Sequence, residues 1–209
     1  MRYEEYIKTK MDEFVAKSFI RPDEFPDMLL YIDQIAAFLN GRLKVYAREG
    51  EKPIITKSMI ANYLKRDMLP RPQKKKYTRD HMILIAMIFY LKSVFQMSEI
   101  GNIMKPFVEN YDSAFDDKFD FYRLYEIITP VLKKERAEAA DRIQKDIELI
   151  KDAIRDDELD DDSTEMFLLL LSVTARADAA KYAAQSLFSE YYAKQKKNEG
   201  AAVRSKRRS

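Results

Sequence analysis

Between residues 140 and 154 the apolar side chains fall at Ala140, Ile143, Ile147, Ile150 and Ile154, with charged residues between them. The spacing of three, four, three and four puts them on one narrow stripe only if the chain is helical. A stripe that narrow is the kind that seals two-helix contacts. The same period recurs near the start, at Tyr3, Tyr6, Ile7, Met11, Phe14, Val15 and Phe19. Four glycines and seven prolines among 209 residues leave long stretches without a breaker, so the expectation is an all-α chain. Its 46% hydrophobic content is enough for one large or two small cores.

Local signals predict where the helices begin and end. Tyr3–Phe19 is followed by a connector, with Pro22 as a breaker and Pro26 opening a second helix over Met28–Leu39. Asn40-Gly41 should stop that helix, and Arg42–Pro53 reads as a loop. Thr56 should cap a helix to Arg66, with Ile60 and Leu64 inward and Met59 and Tyr63 flanking, stopped by Pro70 and Pro72. Gln73–Tyr77 has room only for a turn or a tiny hairpin. Thr78 and Ser98 are expected caps for the next two helices, Thr129-Pro130 for a later one, and Asp162 with Glu165 for an alanine-rich final helix to about Lys197. The expected organisation is an N-terminal helix and connector (1–27), a compact domain (28–108), a helical region with long antiparallel helices (109–198), and a basic disordered tail (199–209).

Charge is unevenly distributed. The segment from Lys57 to Arg79 holds eight basic residues and one acid, and Lys194–Ser209 holds seven and one. Since the whole chain carries only +2, everything else sums to −11. A basic patch on an acidic body is a directional footprint, and nucleic acid is the first partner to consider.

Catalytic chemistry finds little support. There is no cysteine, and the lone His81 reads as a surface or interface residue. The four glycines make neither a dinucleotide fingerprint nor a phosphate loop. The acidic run at 156–162 lacks EF-hand spacing and suits the positive end of the helix after it. We therefore expect no enzyme, no cofactor and no metal. The N-terminus has no signal-peptide pattern and the longest apolar run, Met166–Val173, is too short for a bilayer, so a cytoplasmic protein without a membrane is expected.

Within the basic segment the residues divide between a helix and a turn. Small hydrogen-bonding side chains (Thr56, Ser58, Asn62) lie among the bases, as base-edge readout requires. The run Thr56-Lys57-Ser58-Met59-Ile60-Ala61-Asn62-Tyr63, then Met68-Leu69-Pro70 and Lys76-Tyr77-Thr78-Arg79-Asp80, resembles the DNA-binding domain of MerR-type regulators. Together with Leu30-Tyr31-Ile32-Asp33-Gln34-Ile35, it is similar to a bacterial family of winged-helix proteins catalogued as a domain of unknown function. The resemblance covers about Met28–Val108 and implies a winged helix-turn-helix with a minimal wing. Tyr63 matches that pattern. Ala61 stands where MerR proteins carry an arginine, Asn62 where they carry a tyrosine, and Asp67 replaces a glycine at the corner.

The expected function is DNA-binding transcription regulation. A recognition helix over 56–66 would enter the major groove, with Lys57, Ser58 and Asn62 nearest the bases and Thr56 among the DNA-binding residues. Lys65, Arg66, Arg71, Lys74, Lys75, Lys76, Tyr77 and Arg79 would hold the flanking backbone, through a basic wing at 71–77. Expected partners are double-stranded DNA, a second copy forming a homodimer, and a small-molecule effector. The 140–154 stripe would serve the dimer or pack within the chain. The aromatic set Phe107, Tyr111, Phe115, Phe119, Phe121, Tyr122 and Tyr125 would line an effector pocket or fill the core. The competing class is a protein-interaction adaptor that keeps the fold without binding DNA.

Overall fold

The structure is a computed structural model that describes residues 3–47, 52–109, 111, 120–155 and 161–206, with side chains described through 193. Seven α-helices run through the described residues: α1 Tyr3–Lys17, α2 Ile32–Arg42, α3 Lys57–Lys65, α4 Arg79–Leu91, α5 Met97–Glu109, α6 Phe121–Ile154 and α7 Asp162–Lys206. Two short 3-10 turns lie at Pro22–Glu24 and Lys44–Tyr46. No strand longer than an isolated bridge occurs among the described residues. The chain divides into two compact units, residues 1–145 and 146–209. None of the helices described is long and apolar enough to cross a membrane.

In the first unit the core centres on α4, whose residues from His81 to Ala86 are all buried with Ile88. Ile35 and Leu39 of α2, Ile60 and Tyr63 of α3, Ile100 and Met104 of α5, and Phe121 and Tyr125 of α6 close around it. Tyr63, expected only to flank α3, is therefore a core side chain, while Leu64 packs at its edge.

Arg136 of α6 is planted among aromatic rings. Its guanidinium stacks 3.5 Å from the Phe19 centroid and lies within 6.0 Å of Phe14, Tyr46 and Tyr90. It donates to the Ser18 carbonyl at 2.8 Å and the Ser18 hydroxyl at 2.7 Å. The Tyr125 hydroxyl donates to the Ile20 carbonyl at 2.9 Å on the same side.

Several expected boundaries move, each for a tertiary reason. The second helix starts at Ile32, not Met28. Leu30 instead exchanges two backbone hydrogen bonds with Tyr77 (3.0 and 2.9 Å), and Gln34 caps the Tyr31 N–H at 2.9 Å. Asn40-Gly41 does not end it. The Asn40 amide donates to Ala36 O and Ile55 O and accepts from Ile55 N–H, so it locks the far end of the following loop onto the helix. The helix expected to be capped by Ser98 begins at Met97, because Glu99 accepts from the Gln96 N–H at 2.8 Å. Thr129-Pro130 starts nothing: α6 runs through it, held by the buried Phe121 and Tyr125, with the Thr129 hydroxyl donating to Tyr125 O. The α7 cap is Asp161 rather than Asp162. Its carboxylate accepts from Ser163 N–H, Thr164 N–H and the Thr164 hydroxyl, and these bonds hold its pKa below the usual range.

The second unit is an antiparallel helix pair. Asp146 of α6 accepts from Ser172 at 2.8 Å and pairs with Arg176 of α7, and Lys151 meets Glu165. Ile147, Ile150 and Ile154 are buried with Leu169, so this part of the stripe packs inside the chain. α7 runs through Lys206, so the stretch expected to be a disordered tail is helical to that residue. The acidic residues 156–160 lie outside the described residues.

Candidate nucleic-acid interface

The basic segment occupies α3, the corner after it, and a hairpin. Thr56 caps α3 by accepting from Met59 N–H at 3.2 Å. Ile60 and Tyr63 anchor the inner face, which leaves Lys57, Ser58, Ala61, Asn62, Lys65 and Arg66 exposed on the outer one. Arg66 Nε donates to Asn62 Oδ1 at 3.3 Å, linking two predicted contacts on that face.

The corner that follows is a Schellman motif. Met68 N–H bonds to Tyr63 O at 2.9 Å and Asp67 N–H to Leu64 O at 3.1 Å, with Asp67 at φ 53°. Thus the position where the MerR pattern has glycine does adopt a left-handed conformation here. Pro70 is held by His81, whose Nε2 lies 3.1 Å from its carbonyl. Thr78 N–H donates to His81 Nδ1 at 3.1 Å, so Nδ1 is unprotonated and Nε2–H donates to Pro70. His81 is thus a buried clamp between the corner and α4, flanked edge-on by Tyr77 and Tyr111, and not a surface residue.

Gln73–Lys76 forms a two-residue hairpin turn. Lys76 N–H bonds to Gln73 O at 2.8 Å, and Lys74 and Lys75 sit at φ 49° and 61°. Positive φ at both central positions is the type I′ arrangement, which normally selects Asn and Gly. Here two exposed lysines form the tip.

The α2 N-terminus joins hairpin and helix. Lys76 Nζ lies 5.8 Å over the Tyr31 ring, and Lys57 pairs with Asp33 two residues on. At the opposite end of α3, Arg66 and Arg71 share a groove of about 660 Å³ with Ser98, Asn102 and Lys105 of α5. Sequence reasoning missed Tyr31, Asp33 and Lys105. The first two look like ordinary helix-start residues, and Lys105 is separated from the basic run.

Two predicted contacts are committed elsewhere. Tyr77 is buried and belongs to the core through its bridge with Leu30. Arg79 is mostly covered, pairs with Asp27 at 2.8 Å and stacks 4.8 Å from the Tyr122 centroid. The described members of the aromatic set pack on the core: Phe121 and Tyr125 are fully buried, and Phe107, Tyr111 and Tyr122 lie against it. Phe115 and Phe119 lie outside the described residues. No cluster of three or more metal-ligating side chains occurs among the described residues.

A family model described as Domain of unknown function (DUF1836) matches residues 20–128. That span contains α2 through α5 and the start of α6. No curated protein and no solved structure matches the chain.

Proposed function

We propose that this chain, which belongs to the DUF1836 family, is a DNA-binding transcriptional regulator of MerR-like winged-helix design. In this reading α3 enters the major groove, with Lys57, Ser58 and Asn62 closest to base edges. Lys65, Arg66, Arg71, Lys74, Lys75 and Lys76 hold phosphates. The observation that carries it is the convergence at the α2 N-terminus: Lys76 sits over Tyr31 while Asp33 holds Lys57, so hairpin and helix start flank one turn. A groove-reading helix needs a second phosphate contact beside it. The exposed Lys57–Asp33 pair is a weak bond that a phosphate can replace.

The test is fluorescence anisotropy on random-sequence duplex across a salt series. Binding should weaken with salt, with a log–log slope near −0.9 per phosphate neutralised. Lys74→Ala with Lys75→Ala should flatten that slope by about 2. No affinity at low salt, or affinity indifferent to salt, would sink the proposal. It would favour the adaptor reading, which has its own support in the exposed Met28, Leu29 and Tyr31 beside the hairpin.

A further inference from the structure

The glycine that signals a helix end at position 41 ends nothing, since α2 runs through it in ordinary right-handed backbone. Nothing lies within 4 Å of where a Cβ at Gly41 would stand, so close packing does not call for it either. Inside a helix glycine is the weakest choice after proline. What the missing side chain leaves is space. Gly41 lines an open groove of about 800 Å³ between the second half of α1 and the stretch 41–47.

The groove is apolar within and basic at its edge. Met11, Phe14, Phe19 and Val45 supply the apolar walls, with Phe14 fixed edge-on to Tyr46 at 5.5 Å between centroids. Lys10, Lys17, Arg21, Arg42 and Lys44 line it against two acids, Glu13 and Glu24. Both acids are already shared. Glu13 meets Lys17 at 3.0 Å and Lys10 at 3.6 Å, and Glu24 meets Arg42 at 2.8 Å and Arg21 at 3.6 Å. Lys44 pairs with none of the described acids. This surplus of positive charge lies outside both basic stretches of the sequence, on the part of the chain that sums to −11.

We infer that the groove binds a small amphipathic anion, a carboxylate on an apolar tail of medium length. The tail lies along Met11, Phe14 and Val45 in the space beside Gly41, and the carboxylate meets Lys44. A bare anion would leave the apolar walls wet, and a neutral ligand would leave Lys44 unmatched. The volume falls within the range of small-molecule sites. The inference stands apart from the DNA reading and survives or fails without it.

Calorimetric titration of the full chain with decanoate, below its micelle concentration, should show one site with a Kd under about 1 mM. Acetate lacks the tail and decyltrimethylammonium reverses the charge, so each should bind at least tenfold more weakly. Gly41→Leu points a side chain into open space. It should cut decanoate affinity about tenfold with no loss of melting temperature. Gly41→Ala should raise the melting temperature and change affinity less than threefold. Lys44→Gln should weaken decanoate about three- to fivefold and leave decyltrimethylammonium no weaker. No binding of decanoate overturns the inference. So does decyltrimethylammonium binding as tightly, acetate binding as tightly, or a decanoate affinity that Gly41→Leu leaves unchanged.

Discussion

Arg136 carries its charge into a region where the groups around it are aromatic rings and the serine at position 18. Burial pulls its pKa below the normal arginine value, yet its five donors and flat face suit the place. The face stacks on Phe19 and two of the N–H groups reach Ser18. A desolvated cation over a ring contributes roughly 2 kcal/mol, and charged hydrogen bonds add to it. Lysine has the charge without the plane or the fork. Arg136→Lys should therefore lower stability by about 1–2 kcal/mol and Arg136→Met by about 2–3 kcal/mol, read from urea midpoints. Equal midpoints for wild type and Arg136→Lys would show that stacking contributes nothing here.

At the level of elements, three non-glycine residues among those described hold left-handed backbone: Asp67 at the end of α3, and Lys74 and Lys75 in the hairpin. Each is a site where a better local choice exists. Asp67→Gly should raise stability by about 0.5–1 kcal/mol, since the Schellman corner favours glycine at that position. Lys74→Asn with Lys75→Gly should add about 1 kcal/mol by supplying the residues a type I′ turn selects. It also removes two charges, so thermal melting should improve while any DNA affinity falls; a gain in both would detach the lysines from the proposed role. The helices whose limits follow from neighbours in sequence were legible, α3 above all, with its Thr56 cap and inward Ile60. Those set by distant contacts were not. Leu30 leaves the second helix for Tyr77, Asn40 remains inside it to hold Ile55, and Pro130 is carried through α6 by the packing of Phe121 and Tyr125. Apart from Lys105, the basic residues of the candidate site were visible in the charge run from Lys57 to Arg79. What was not visible is which of them the fold has already employed: Arg79 on Asp27 and Tyr122, Tyr77 on Leu30.

For the whole molecule, alkaline pH probes the first unit's interior directly. Burial raises the pKa of Tyr46 to about 12, and raises Tyr90 and Tyr125 as well. A tyrosine freed by unfolding ionises near pH 10. Stability from these groups is thus complete below pH 10 and drains away as pH climbs toward 12, because only the unfolded chain releases their protons. Urea midpoints should fall steeply across that window, and Tyr46→Phe should flatten the fall. A midpoint unchanged from pH 9 to pH 12 would contradict the burial. The Asn40 side chain has a different consequence for the molecule as a whole. By gripping both backbone groups of Ile55, it fixes the departure point of α3 against α2 without reference to the chain between them. The two helices are therefore spliced at a point, by a contact that involves none of the residues between Ala47 and Lys52. Doubling the stretch between Ala47 and Lys52 with Gly-Ser residues should cost only about 0.6 kcal/mol, measured by thermal melting. The same insertion in an Asn40→Ala background should cost several times more, which makes this short polar splice the part of the fold that licenses its own loop to diverge.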